Sequence, residues 1–134
     1  MAEVAIALAI SALVLWGLIY GFIVSTQRAE WSAYSLAAQS LANQRLEQTR
    51  AVKWDPLKWP PDPDKLVSAN FPSTPEILDI PISGGNIVYA TNYTTITDVA
   101  GTAPLKLIQV NCVWSFPNRG LFTNTIATYR APDQ

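Results

Sequence analysis

Residues 4–24, VAIALAISALVLWGLIYGFIV, decide the architecture of this chain. These 21 residues include no charged residue and no proline, and only two of them are glycine. As a helix rising about 1.5 Å per residue, the run crosses a hydrocarbon core of about 30 Å. A cleaved secretory signal has an apolar region of about 7–15 residues, and here no basic segment precedes the run and no small-residue cleavage site follows it. We therefore predict that residues 1–24 are a retained membrane-spanning segment.

The helical pattern continues beyond this run to residue 52. Five residues recur at steps of three and four: Trp31, Tyr34, Ala38, Leu41 and Ala42. Residues at this spacing share one face of a helix, so residues 25–52 are predicted as the amphipathic half of the same helix. A single helix over residues 2–52 is about 75 Å long, more than a domain of this size can cover. The part of the helix that the domain leaves uncovered is therefore predicted to pack against partner molecules.

Prolines end the predicted helix. Asp55-Pro56 and the prolines at 60, 61 and 63 prevent helical continuation. Residues 53–76 are therefore predicted as a Pro-rich loop, and Trp54 and Trp59 are expected to pack that loop onto the helix.

The remaining residues, 77–134, predict an antiparallel β-sheet domain. Runs rich in β-branched and aromatic residues are separated by glycine, proline and asparagine. The fold class is therefore α+β, with one long N-terminal helix packed on a small sheet of three or four strands. The predicted strands are 77–82, 87–97, 105–116 and 121–129, with turns at 84–86 and 117–120.

The strand at 105–116 has the clearest pattern, because apolar residues alternate with mainly polar ones. Its predicted sheet-core residues are Ile108, Val110, Cys112, Trp114 and Phe116. The sheet face directed away from the helix is predicted to be polar, and either solvated, which we favour, or a partner surface. Its threonines are Thr91, Thr94, Thr95, Thr97, Thr123, Thr125 and Thr128.

Composition argues against catalysis. The net charge of −1 gives no electrostatic case for nucleic acid, and histidine, the commonest general base, is absent. The lone Cys112 fits a buried thiol better than a nucleophile. Calcium takes about six to eight oxygens, and prolines restrict how Asp55, Asp62 and Asp64 converge, so we favour solvated acids there. We predict no enzyme activity, no metal and no cofactor.

The N-terminal stretch MAEVAIALAISAL resembles the N-terminus of type IV pilins and type II secretion pseudopilins. In that family a basic leader ends in glycine, and the mature chain opens with an aromatic residue, a short polar residue, two mostly apolar residues and a glutamate. Glu3 stands at the glutamate position, so the leader, its glycine and two mature residues are expected upstream of Met1. The resemblance covers residues 1–52 well and the C-terminal domain loosely.

This resemblance implies a structural subunit, minor pilin-like or pseudopilin-like, of a bacterial type IV pilus-like or type II secretion filament. Glu3 would then pair with the N-terminal amine of a neighbouring subunit and set axial register, whereas its simpler interpretation is a favourable acid in the first helical turn. Gly17 and Gly21 are four residues apart, which fits close helix packing or chance. The implied partners are other subunits, a prepilin peptidase and an inner-membrane assembly platform.

The location remains open between two interpretations. By the positive-inside rule, the basic residues after the apolar run favour a cytoplasmic C-terminal domain. A basic leader reverses this, and the resemblance implies a single pass through the bacterial inner membrane, a periplasmic C-terminal domain, and later a periplasmic or extracellular filament. The alternative function is a single-pass membrane-anchored protein with a small extracytoplasmic ligand-binding or sensing domain. That alternative explains the span, but neither the continuous helix nor Glu3.

Overall fold

The computed structural model describes residues 2–79, 87–116 and 119–133, and it confirms one long helix followed by an antiparallel sheet. A short 3-10 helix, Ser68–Asn70, lies in the loop between them. The predicted turn at 84–86, the strand end at 80–82 and residues 117–118 of the hairpin turn lie outside the described residues. The elements are α1 (Ala2–Ala51), β1 (Pro75–Asp79), β2 (Val88–Asp98), β3 (Lys106–Phe116) and β4 (Gly120–Arg130).

Helix α1 is shared by two compact units, Met1–Ala33 and Tyr34–Gln134. Its first turn contains Glu3 and its last turn contains Arg50, the charge signs that the helix dipole favours at each end. The helix ends at Ala51, one residue before the predicted end and ahead of the Asp55-Pro56 step.

The four strands form one antiparallel sheet in the order β1-β2-β3-β4. Sequence neighbours are also sheet neighbours, so short connections suffice. Pairing of β3 with β4 is continuous from Phe116 opposite Gly120 to Lys106 opposite Arg130. The pairing of β1 with β2 shifts register between Ile77 and Asp79, and β1 begins at Pro75, two residues before the predicted start.

The core lies between the sheet and the last turns of α1, within the second unit. Ala38 and Ala42 on α1 are fully buried and belong to this core. Trp114 is the largest fully buried side chain, and burial of a large apolar side chain contributes about 1.5–3 kcal/mol. The other buried hydrophobic members of this cluster are Leu46, Trp54, Leu66, Phe71, Ala90, Ile108, Val110, Cys112 and Phe116.

Two threonines lie on the opposite sheet face from the one predicted. Thr94 pairs with Val110, and Thr128 pairs with Ile108, both of which are fully buried. Residues directly opposite on neighbouring strands point to the same face, so both threonines face the helix. The predicted outer face retains Thr91, Thr95, Thr97, Thr123 and Thr125.

The two loop tryptophans have different environments. Trp54 is 6% exposed and packs into the core, as expected. The prediction for Trp59 is wrong, because this side chain is 87% exposed. Five residues beyond Trp54 the loop has turned away from the core, and sequence spacing alone does not reveal that turn.

Candidate functional site

The candidate site is the apolar N-terminal part of α1. By length and composition it is able to cross a membrane, and none of that window is buried within the chain. The large apolar side chains from Val4 to Ile23 are between 48% and 74% exposed. A helix that is apolar on all sides has no solvated face, so this segment requires lipid or other helices around it.

Two hydroxyl side chains, one in this segment and one just after it, form hydrogen bonds within the helix. The Ser11 hydroxyl donates to the Ala7 carbonyl at 2.8 Å, and the Thr26 hydroxyl donates to the Phe22 carbonyl at 2.9 Å. Such bonds to the preceding turn remove the cost of placing a hydroxyl in lipid. The segment is therefore compatible with an apolar environment despite these two side chains.

Glu3 lies in the first turn of α1, at the start of the apolar run. Within the described residues its carboxylate forms no ion pair. A carboxylate carried into an apolar environment is costly without a partner charge. In an apolar environment, a nearby cation would therefore stabilise Glu3.

Gly17 and Gly21 lie one helical turn apart in the exposed segment. A Cβ atom built at either position would meet nothing within 4 Å. Close packing inside this chain therefore does not explain either glycine. Trp16 and Tyr20, the residues just before them, stack with ring centroids 5.7 Å apart.

The five predicted sheet-core residues lie in β3, where all five are buried. The indole N–H of Trp114 donates to the Asn124 side-chain oxygen at 2.8 Å. The Asn124 amide in turn donates to the Ser35 carbonyl and to Gln39 on α1. This bridge between sheet and helix was not apparent from the sequence.

Burial also sets the chemistry of Cys112. Its side chain is fully buried, and burial, with a smaller contribution from the charge of Glu76, raises its pKa to about 11. A thiol with this pKa stays protonated at neutral pH and is a poor nucleophile.

The C-terminal segment forms hydrogen bonds with the C-terminal end of α1 and with the residues that follow it. Arg130 donates to the Thr49 carbonyl at 2.7 Å and pairs with Asp133 at 2.9 Å. Asp133 accepts a hydrogen bond from the Trp54 backbone N–H at 2.7 Å, and its own N–H donates to the Trp54 carbonyl at 2.8 Å. The Trp54 N–H first, and Arg130 second, lower the pKa of Asp133. No sequence signal links these groups, which are about 80 positions apart.

A second polar cluster surrounds Lys106, whose side chain is 5% exposed. Its ammonium lies 2.7 Å from Asp64 and 3.1 Å from Asp98, and 5.3 Å from the centre of the Trp54 ring. Burial acts to lower the pKa of Lys106, but the hydrogen bonds that its ammonium donates to both carboxylates outweigh this effect, and the pKa is raised. The sequence alone does not indicate this environment, because a lysine at the start of a strand is ordinarily solvated.

The loop acids considered for calcium each have a separate partner. Asp64 pairs with Lys106, Asp62 pairs with Lys58, and Asp55 accepts a hydrogen bond from the Leu57 backbone N–H. Within the described part of the chain no group of three potential metal ligands is present. These acids line a cleft of about 360 Å³ together with Lys53, Trp54, Pro56, Pro63 and Lys65.

No protein-family model, curated protein or solved structure matches this chain. Its functional interpretation therefore depends on the residues and geometry above. Those describe an apolar helical segment that is able to cross a membrane, joined to a small folded unit.

Proposed function

We propose that this chain is a structural subunit, minor pilin-like or pseudopilin-like, of a bacterial type IV pilus-like or type II secretion filament. One observation carries the proposal. Helix α1 runs without interruption over Ala2–Ala51, from a segment exposed on every side into turns that pack on the sheet. A membrane anchor alone needs about 20 residues of helix. A continuous helix of this length suits a subunit that leaves lipid and packs against neighbouring helices.

Assembly in this proposal exchanges lipid contacts for helix–helix contacts. The apolar side chains of residues 4–24 lie in the inner membrane first and in the filament core later. Gly17 and Gly21 provide positions where a neighbouring helix backbone can approach closely. The proposed partners are other subunits, a prepilin peptidase and an inner-membrane assembly platform, and the folded unit lies in the periplasm before assembly.

Glu3 is proposed to set the axial register between subunits. Its carboxylate would pair with the N-terminal amine of a neighbour inside the filament. Two opposite charges in an apolar interior are costly when separated and favourable together, so misaligned insertion is penalised. The same group would also tie the subunit to one position along its neighbour.

N-terminal mass spectrometry of protein from native membranes and sheared surface fractions tests this proposal. The expected result is a methylated aromatic N-terminus two residues upstream of Met1. An unmodified or formylated Met1, found in membranes alone, would overturn the proposal.

The Glu3→Gln variant tests the ion pair with little change in size. We expect incorporation into filaments to fall about ten-fold or more, because a separated buried charge costs about 1.4 kcal/mol or more. Glu30→Gln, on the same helix, is the matched control and is expected to assemble normally. Equal incorporation of both variants would rule out a register role for Glu3.

The second candidate is a single-pass membrane protein with an extracytoplasmic ligand-binding or sensing domain. The cleft beside Trp54 favours it, because lysines and aspartates converge there around an aromatic ring. This candidate predicts an unprocessed N-terminus and function that survives Glu3→Gln. The two experiments above therefore discriminate between the candidates.

A further inference from the structure

The side of the sheet directed away from α1 carries no charged side chain in β2, β3 and β4. We call this side the outer face and define it as the odd-numbered residues of these three strands, all of which the structure describes. Along β3 every even-numbered residue is buried and no odd-numbered residue is. The charged residues of the three strands, Asp98, Lys106 and Arg130, are all even-numbered and lie at strand ends. A solvated protein surface typically includes about 25–35% charged residues, so the outer face has the composition of a contact surface.

Three exposed tyrosines are evenly spaced along the outer face. Tyr89 and Tyr93 lie four residues apart on β2. Tyr129 on β4 is opposite Leu107, which is opposite Thr97, a further four residues along β2. Each step of four residues covers about 13 Å along the strands, and the three side chains are between 48% and 65% exposed. Because the tyrosines are distributed over about 26 Å of open sheet, they match an extended polymer better than a small molecule, which binds in a concave pocket.

The middle of the outer face is a row of hydrogen-bonding side chains. Tyr93 is opposite Asn111, and Asn111 is opposite Thr125, at the centres of the three strands. The Thr125 hydroxyl and the Gln109 amide both donate to the Asn111 side-chain oxygen, at 2.8 and 3.1 Å. These two bonds orient the Asn111 side chain, and its NH2 group donates to no group among the described residues. The row therefore presents an oriented amide donor beside a tyrosine ring.

This arrangement is the reverse of a protein–protein interface. Such an interface has an apolar centre and a polar rim. Here the polar row is central, whereas the outer-face side chains of Leu121 and Tyr129, which are more exposed, lie at the two ends of β4. An extended peptide binds to the edge of a sheet through backbone hydrogen bonds rather than to its face. The observations therefore favour a polymer that is not a protein.

The lack of charge narrows the choice of polymer further. Nucleic acids and other polyanions are bound largely through lysine and arginine, and the outer face has neither. A neutral sugar ring has a C–H face that packs on an aromatic ring, and hydroxyls that pair with amide and hydroxyl groups. We infer that the outer face binds an extended, uncharged polysaccharide. Sugar rings pack on Tyr89, Tyr93 and Tyr129, and sugar hydroxyls accept hydrogen bonds from the Asn111 amide. This site suits a filament subunit and a membrane-anchored protein alike, so the inference does not depend on the proposed function.

Retention of the full chain on insoluble polysaccharides tests this inference. The protein is kept in a polyoxyethylene detergent, because a sugar-based detergent would compete for the site. It is mixed with particles of cellulose, chitin or mannan, and alginate beads are the anionic comparison. The expected result is saturable retention on at least one neutral polysaccharide and none on alginate. Retention is expected to persist in about 1 M salt, where interactions between charges are screened.

Two variants and one matched control locate the binding site. The double variant Tyr93→Ala/Tyr129→Ala is expected to lower the affinity about ten-fold, because two ring contacts are lost. Thr95→Lys leaves all three rings in place and is expected to weaken binding, because a neutral polymer would desolvate the added charge. Trp59→Ala removes an exposed aromatic side chain outside the outer face and is expected to bind like the parent protein. Thermal unfolding of each variant verifies that the fold is retained.

Three results would overturn the inference. The first is the absence of retention on all three neutral polysaccharides. The second is an equal loss of affinity in the Trp59 variant and in the double tyrosine variant, which indicates unspecific adsorption of aromatic side chains. The third is a dimer in sedimentation that the double tyrosine variant converts to a monomer, which would assign the outer face to a second copy of the chain. None of these results depends on the state of the N-terminus, so the filament proposal stands or falls separately.

Discussion

Lys106 permits a sharp test of how buried charge stabilises the folded unit. Its ammonium is almost entirely buried, whereas its two partners are not: the side chains of Asp64 and Asp98 are 39% and 82% exposed. Removal of the lysine leaves two acids that water can solvate. Removal of both acids leaves a buried ammonium without a counter-charge, so the two perturbations are expected to differ greatly in cost.

The magnitudes follow from this asymmetry. Lys106→Met retains most of the apolar stem of the side chain and loses only ion pairs to exposed acids. We therefore expect it to lower the free energy of unfolding by about 1 kcal/mol or less. The double variant Asp64→Asn/Asp98→Asn leaves the buried Lys106 ammonium without a counter-charge. We expect it to lower the free energy of unfolding by about 3 kcal/mol at pH 7. Adding Lys106→Met to the double variant removes the unpaired charge and is expected to restore most of the loss.

Guanidinium unfolding of the full chain in a nonionic detergent, followed by tryptophan fluorescence, measures these differences. The pH dependence is a second readout. Because the folded pKa of Lys106 lies above its ordinary value of 10.5, its stabilisation is fully present below about pH 10 and is lost as the pH rises through the raised pKa. If Lys106→Met costs as much as the double variant, or if the triple variant fails to recover stability, the buried-charge argument is wrong.

Three further predictions concern the folded unit. Asp133→Asn should abolish part of the acid sensitivity of unfolding. The lowered pKa of Asp133 gives stability that is present above its ordinary pKa of 3.8 and is lost as the pH falls through the folded pKa. Unfolding curves at pH 3 and pH 7 measure the loss of stability between the two pH values, and the same loss in the variant and the parent protein contradicts the prediction. Gly120→Ala should cost about 1–2 kcal/mol, because Gly120 has φ of 93° with open space around it; a neutral result in thermal unfolding refutes backbone strain. Cys112 should resist maleimide until denaturant is added, and rapid labelling of the native protein would show that it is accessible.

Much of the architecture could be predicted because the relevant patterns are local. The apolar run over residues 4–24 and the helical spacing after it require no tertiary information, and the observed α1 differs from the prediction by one residue at its C-terminus. Alternation with period two likewise marked β3. Glu3, Gly17 and Gly21 were selected from the sequence, and their proposed roles concern other molecules, so the fold of one chain leaves those roles as predictions.

Tertiary structure alone decided which faces and charges are buried. Thr94 and Thr128 resemble their outward neighbours in sequence, and strand register assigns them to the helix-facing side. The environments of Lys106 and Asp133 depend on groups brought together by the loop and the C-terminal segment. Local composition sets which elements form, because backbone propensity and hydrophobic period act over a few residues. Ion pairs and sheet edges arise where distant segments meet, so only the packed structure determines them.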